Sequence, residues 1–119
     1  MLIYEVNLTV DADIATEYST WLREHVRELL ELDGFEGATW YRRTEDSASI
    51  PEETAPEGER YWTVQYFIRD KDTLNTYLDE HADRFRQDGL DRYEGQFTAE
   101  RRILKRVRTF SNPVSRYDE

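Results

Sequence analysis

The chain contains no cysteine, which excludes disulfides, thiolate metal sites and cysteine nucleophiles. Lysine is nearly missing too: of the 16 basic residues only Lys71 and Lys105 are lysines, the rest being arginine. Histidine occurs twice, as His25 and His81. No apolar run approaches a membrane span, and the chain opens on the strand-like Leu2-Ile-Tyr-Glu-Val6 without a basic-then-apolar leader. The expectation is a cytoplasmic protein that does not engage a membrane. There is no glycine-rich phosphate loop, no dinucleotide fingerprint and no supported Ser-His-Asp pattern. Base is also short of acid, 16 residues against 26, for a net charge of −10 at pH 7. That charge repels phosphate backbones, so no nucleic-acid partner is expected. An acidic surface of this kind suits a halophile's cytosol, where salt screens its self-repulsion.

Aromatic residues are plentiful. Three Trp, eight Tyr and five Phe supply much of the burial available to one 14.3 kDa domain. Nine residues, Trp21-Leu-Arg-Glu-His-Val-Arg-Glu-Leu29, recur as Tyr77-Leu-Asp-Glu-His-Ala-Asp-Arg-Phe85. Each copy runs into Asp-Gly, at Asp33-Gly34 and Asp88-Gly89, and each follows a Tyr-bearing alternating segment. The chain reads as two copies of one supersecondary unit.

Strict alternation over Leu2 to Val10 predicts a first strand, followed by a helix capped by Asp13 and ended by Gly34. Ile14, Tyr18, Trp21, Leu22, His25, Leu29 and Leu32 share its apolar face. A second strand is expected over 35–43 and a third over 60–69, joined by a mobile acidic hairpin loop at 45–59 with six acids and no base. Asp70 or Asp72 caps the second helix, which carries Leu74, Leu78, His81, Ala82 and Phe85 inward, Tyr77 on its flank, and ends at Gly89. A last strand spans about 96–107. The domain is therefore 1–108, with a C-terminal tail at 109–119.

The order β-α-β-β-α-β predicts an α+β ferredoxin-like plait, a four-stranded antiparallel sheet with both helices on one face. In the usual strand order 4-1-3-2, strands one and three are central, and they are expected to run parallel. The uncovered face then carries Ile3, Glu5, Asn7, Tyr61, Thr63, Gln65 and Phe67. Aromatic and neutral polar groups mixed in this way favour a homodimer, sheet against sheet. Tyr4-Glu-Val, Trp21-Leu, Ala38-Thr-Trp-Tyr-Arg42, Trp62-Thr-Val-Gln-Tyr66, Tyr77-Leu-x-Glu-His81 and Phe97-Thr-Ala-Glu-Arg101 together resemble domain of unknown function family 4286, over about residues 1–107. The plait with its half-apolar sheet resembles the dimeric α+β barrel superfamily. That resemblance implies two sheets closing into one barrel. It carries over no functional residue.

Both histidines fall on the predicted apolar helix faces and are the candidate catalytic groups, since an imidazole there can titrate or polarise a bound carbonyl. The bland alternative is two packed structural histidines. The expected ligand pocket between sheet and helices is lined by Tyr18, Trp21, Trp40, Trp62, Tyr66 and Phe85, with Arg42 available to pair with a carboxylate. The basic run Arg101, Arg102, Lys105, Arg106, Arg108 reads as a solvated edge. No metal site is expected, because Glu24 and Glu80 point away from the shared face, and no cofactor is expected either. The sequence thus supports a small dimeric barrel that binds an apolar or aromatic metabolite. A cofactor-independent monooxygenase, isomerase or cyclase using a helix histidine is the enzyme alternative, and a protein-interaction module acting through the acidic loop is the third.

Overall fold

The computed structural model of the chain describes residues 1–43 and 59–113. Its elements are β1 (Leu2–Asp11), a 3-10 turn (Ala12–Ile14), α1 (Ala15–Leu29), β2 (Phe35–Arg42), β3 (Glu59–Ile68), α2 (Lys71–Glu80), α3 (Ala82–Tyr93) and β4 (Phe97–Lys105). The strands form one sheet in the order β2-β3-β1-β4. The fold is the expected α+β ferredoxin-like plait, with three helices rather than two. The acidic loop lies outside the described residues except for Glu59, which starts β3. Residues 106–113 follow β4 outside any helix or strand.

The expectation that strands one and three run parallel is wrong: β1 opposes β3 in register from Leu2↔Ile68 to Asp11↔Glu59. The α1 crossover returns the chain in the direction of β1, so β2 is parallel to β1 without touching it. The connection to β3 then reverses the chain, and β3 must oppose β1. The pairings of β1 with β4 and of β2 with β3 are antiparallel as well.

Period-two alternation puts Tyr4, Leu8, Val10, Val64, Tyr66 and Ile68 under the helices, and all are buried. The opposite side of the sheet carries Glu5, Thr63 and Gln65. Glu5 is only 3% exposed there. Its carboxylate accepts from Asn7 Nδ2 (2.9 Å), Gln65 Nε2 (2.8 Å) and Arg102 Nε (2.5 Å). Burial alone would push Glu5 up, but these three donors hold it below the ordinary carboxylate value. Thr63 donates to Asn7 Oδ1 at 2.6 Å, and Arg43 reaches Asn7, Thr63 and the Trp62 carbonyl.

The helices depart from expectation in four places. Asp13 does not cap α1: it sits inside the 3-10 turn, and Asp11 at the N-cap makes no side-chain cap bond. The second helix breaks at His81 (φ −125°, ψ −30°), and α2 is turned so that Tyr77 is buried while Leu78 is 39% exposed. Third, Gly89 does not stop the helix, because α3 continues to Tyr93. A Cβ on Gly89 would meet Trp21 Cη2 at 3.0 Å, so this glycine lets α3 approach Trp21. Gly34 does not cap α1, which ends at Leu29 with Leu30 at its C-cap; it sits in the following turn at φ +87°, where a Cβ would lie 2.4 Å from Thr73 Cγ2. Asp70 caps α2, accepting from Thr73 N at 2.9 Å and Thr73 Oγ1 at 2.7 Å.

Candidate functional site

Between sheet and helices lies a cavity of about 40 Å³. β1 gives it Tyr4, β3 gives Tyr66, α1 gives Tyr18, Trp21 and His25, and β4 gives Phe97 and Arg101. Tyr77 enters from α2, and Phe85, Arg86 and Gly89 enter from α3. The rings hold one another in fixed attitudes. Trp21 stacks on His25 with centroids 4.7 Å apart, and Phe85 meets the same imidazole edge-on at 5.5 Å. Tyr4 lies 5.5 Å from Tyr77 and 6.0 Å from Tyr66. Trp21 Nε1 donates to Asp88 Oδ2 at 3.0 Å, which ties α1 to α3 beside the cavity.

Polar groups converge on this space. Arg86 Nη2 donates to the Tyr4 hydroxyl at 3.0 Å. Two buried atoms, His25 Nδ1 and Arg86 Nε, have no partner among the described residues. Burial pushes the hydroxyls of Tyr18, Tyr66 and Tyr77 above the ordinary phenol value, so they remain neutral donors. Burial lowers His25 to about 4, with Arg101 reinforcing the shift and Asp88 opposing it. For Arg86, burial acts to lower the value, but the Tyr4 bond and nearby charges carry it above the ordinary one. Neutral hydroxyls, a neutral imidazole and a half-buried guanidinium together make a site rich in hydrogen-bond donors.

Of the residues expected from sequence, the structure brings Tyr18, Trp21, His25, Tyr66 and Phe85 together around this cavity. The other four lie elsewhere. Trp40 and Trp62 pack edge-to-face at 5.2 Å, with Trp40 over a separate dip beside Arg23 and Arg27. Arg42 is exposed at the end of β2, opposite Trp62. His81 lies at the α2–α3 break, accepting from Arg84 Nη2 at 3.1 Å, in an outer groove with Asp70 and Asp72. The two histidines therefore do not share a site. Tyr4, Tyr77, Arg86 and Arg101 were missed. Arg86 was legible in principle: Ala82, Phe85, Arg86, Gly89 and Tyr93 follow helical spacing once the helix is allowed past Gly89. Arg101 follows Phe97 and Ala99 in period two, on the strand side that faces the helices. Among the described residues no cluster of three or more His, Asp or Glu could hold a metal ion, and no helix is long and apolar enough to cross a membrane.

The sequence matches the family model for Domain of unknown function (DUF4286) over residues 1–107. No curated protein matches it. Among solved structures it is similar to SnoaB, a cofactor-independent oxygenase from Streptomyces nogalater, at 14% identity and TM-score 0.62, covering 93% of this chain and 98% of that one. A candidate antibiotic biosynthesis monooxygenase from Deinococcus radiodurans gives 16% identity and TM-score 0.65, over 94% and 98%. HapK from Hahella chejuensis gives 11% and 0.60, over 94% and 98%. At these identities the likeness shows the fold.

The buried imidazole makes stability depend on pH in a defined window. The unfolded chain takes up a proton at His25 near 6.5, the folded protein only at about 4. Between these values unfolding binds a proton, so stability is lost as pH falls from 6.5 towards 4, by up to about 3 kcal/mol. Glu5 acts in the next window down, its contribution being present above its ordinary 4.5 and lost as pH falls through its lower folded value. Denaturant unfolding across pH 4 to 6.5 is expected to show a steeper decline for the native chain than for His25→Gln. Parallel curves would contradict a buried neutral imidazole.

Proposed function

The chain belongs to the DUF4286 family, and from that premise we propose that it is a homodimeric α+β barrel protein binding a small apolar or aromatic metabolite between its sheet and its helices. The observation that carries this reading is the cavity at His25, where six elements of the fold bring rings and hydrogen-bond donors to one point. Its 40 Å³ admits the head of a ligand, whereas drug-sized ligands occupy roughly 300–1,000 Å³. The break at His81 separates α3 from α2, and α3 is tied across the layer by Arg86 to Tyr4 and by Asp88 to Trp21.

The enzyme reading ranks second. A neutral imidazole in an aromatic cavity, on the fold of a cofactor-independent oxygenase, favours proton abstraction by His25. Against it, an imidazole lowered to about 4 is a weak base compared with one poised near neutrality. Binding therefore comes first. Titration with 1-naphthol, followed by tryptophan fluorescence, is expected to give saturable quenching that His25→Ala weakens about tenfold while keeping its circular dichroism. An unsaturable response, or a His25→Ala chain that merely unfolds, would overturn the reading.

The dimer is proposed through the sheet face that the helices leave open. Ile3, Phe67 and Leu104 meet across adjacent strands at one end of that face, next to the Glu5 network, so an apolar patch adjoins ordered polar groups. Light scattering on the whole chain is expected to report about twice 14.3 kDa, and Phe67→Glu to reduce it to one chain. A single-chain mass for the native protein at high concentration and ample salt would contradict the dimer.

A further inference from the structure

Charge is distributed against the trend of the molecule at the cavity. The chain carries 26 acidic residues and a net charge of −10, yet the cavity is lined by two guanidiniums, Arg86 and Arg101, and by no carboxylate among the described residues. Arg86 is half spent. Its Nη2 serves the Tyr4 hydroxyl, while its Nε is buried and unpartnered. His25 Nδ1 is the second unpartnered atom on the same space. A buried donor left without an acceptor is costly, and a guanidinium Nε–H can be satisfied only by an acceptor, best by an anionic oxygen. Among the described residues nothing accepts from it: the Tyr4 hydroxyl takes Nη2 instead, and Asp88 is engaged by Trp21 and by Arg92.

Building on the ligand-site reading above, we propose that the cavity recognises the carboxylate of an aromatic acid, one oxygen on Arg86 Nε–H and the headgroup held in the field of Arg101. The volume agrees with a head group seated inside and a ring toward the mouth, where Arg101 is exposed on β4. His25 stays uncharged and, in its Nδ1–H tautomer, donates to the same carboxylate. A guanidinium suits this task better than an ammonium would, because its planar fork matches a carboxylate's geometry.

Calorimetric titration of the whole chain with 2-naphthoate and with its neutral amide, 2-naphthamide, tests the proposal. The acid is expected to bind at least tenfold more tightly than the amide. Arg101→Gln, an exposed position whose replacement leaves the fold intact, is expected to weaken the acid several-fold and leave the amide unchanged. Arg86→Met is expected to erase the acid's advantage. Equal binding of acid and amide would overturn the carboxylate proposal and leave the aromatic-ligand reading standing. Binding of neither, together with no saturable quenching by 1-naphthol, would overturn both.

Discussion

Burying Tyr4, Tyr18, Tyr66 and Tyr77 in one layer obliges their hydroxyls to find partners away from water, and that obligation determines what else the layer contains. Phenolic rings give the small domain the large apolar areas it needs. Their oxygens then draw a guanidinium into the same space: Arg86 of α3 reaches across to the Tyr4 hydroxyl of the central strand, beside the Tyr77 ring. An arginine so placed keeps its charge and leaves Nε buried without a partner. The site is a consequence of how the aromatic core is satisfied, and it leaves two buried atoms without a partner, each worth about 1–3 kcal/mol unmet.

The two faces of the sheet solve the same problem differently. Under the helices, rings dominate and the ionisable groups are shifted by burial. On the open face Glu5 is as buried as a core residue but keeps its charge, because Asn7, Gln65 and Arg102 all donate to it. A satisfied network of this sort rigidifies the central strands without an apolar cover. It also gives β1 a defined polar centre on the face away from the cavity.

Strands were legible because alternation in β1 and β3 is strict, and each pairing follows from it. Helix ends were not, because Asp33-Gly34 and Asp88-Gly89 are the same dipeptide in different roles. Gly34 adopts a left-handed conformation against Thr73, whereas Gly89 stays helical to make room for Trp21. Only tertiary packing separates the two. The internal repeat misled in the same way. His25 and His81 are equivalent in sequence, but α1 runs on through its histidine while the second helix breaks at its own. That break sends one imidazole into the layer and the other to the surface. Tyr18, Trp21, His25, Tyr66 and Phe85 could be read from periodicity alone. Arg86 and Arg101 could not be singled out by charge, since arginines crowd the whole chain, and only the geometry sets these two apart.

If the polar groups of the cavity are kept for a ligand, they should add nothing to folding. The double replacement His25→Phe with Arg86→Met fills the space with apolar atoms and removes both unpartnered atoms together with the Arg86 bond to Tyr4. Its unfolding free energy at neutral pH is the direct measurement. A value equal to that of the native chain, or higher by about 1–2 kcal/mol, is the predicted result. A loss of more than about 2 kcal/mol would show these residues to be structural and would contradict the account.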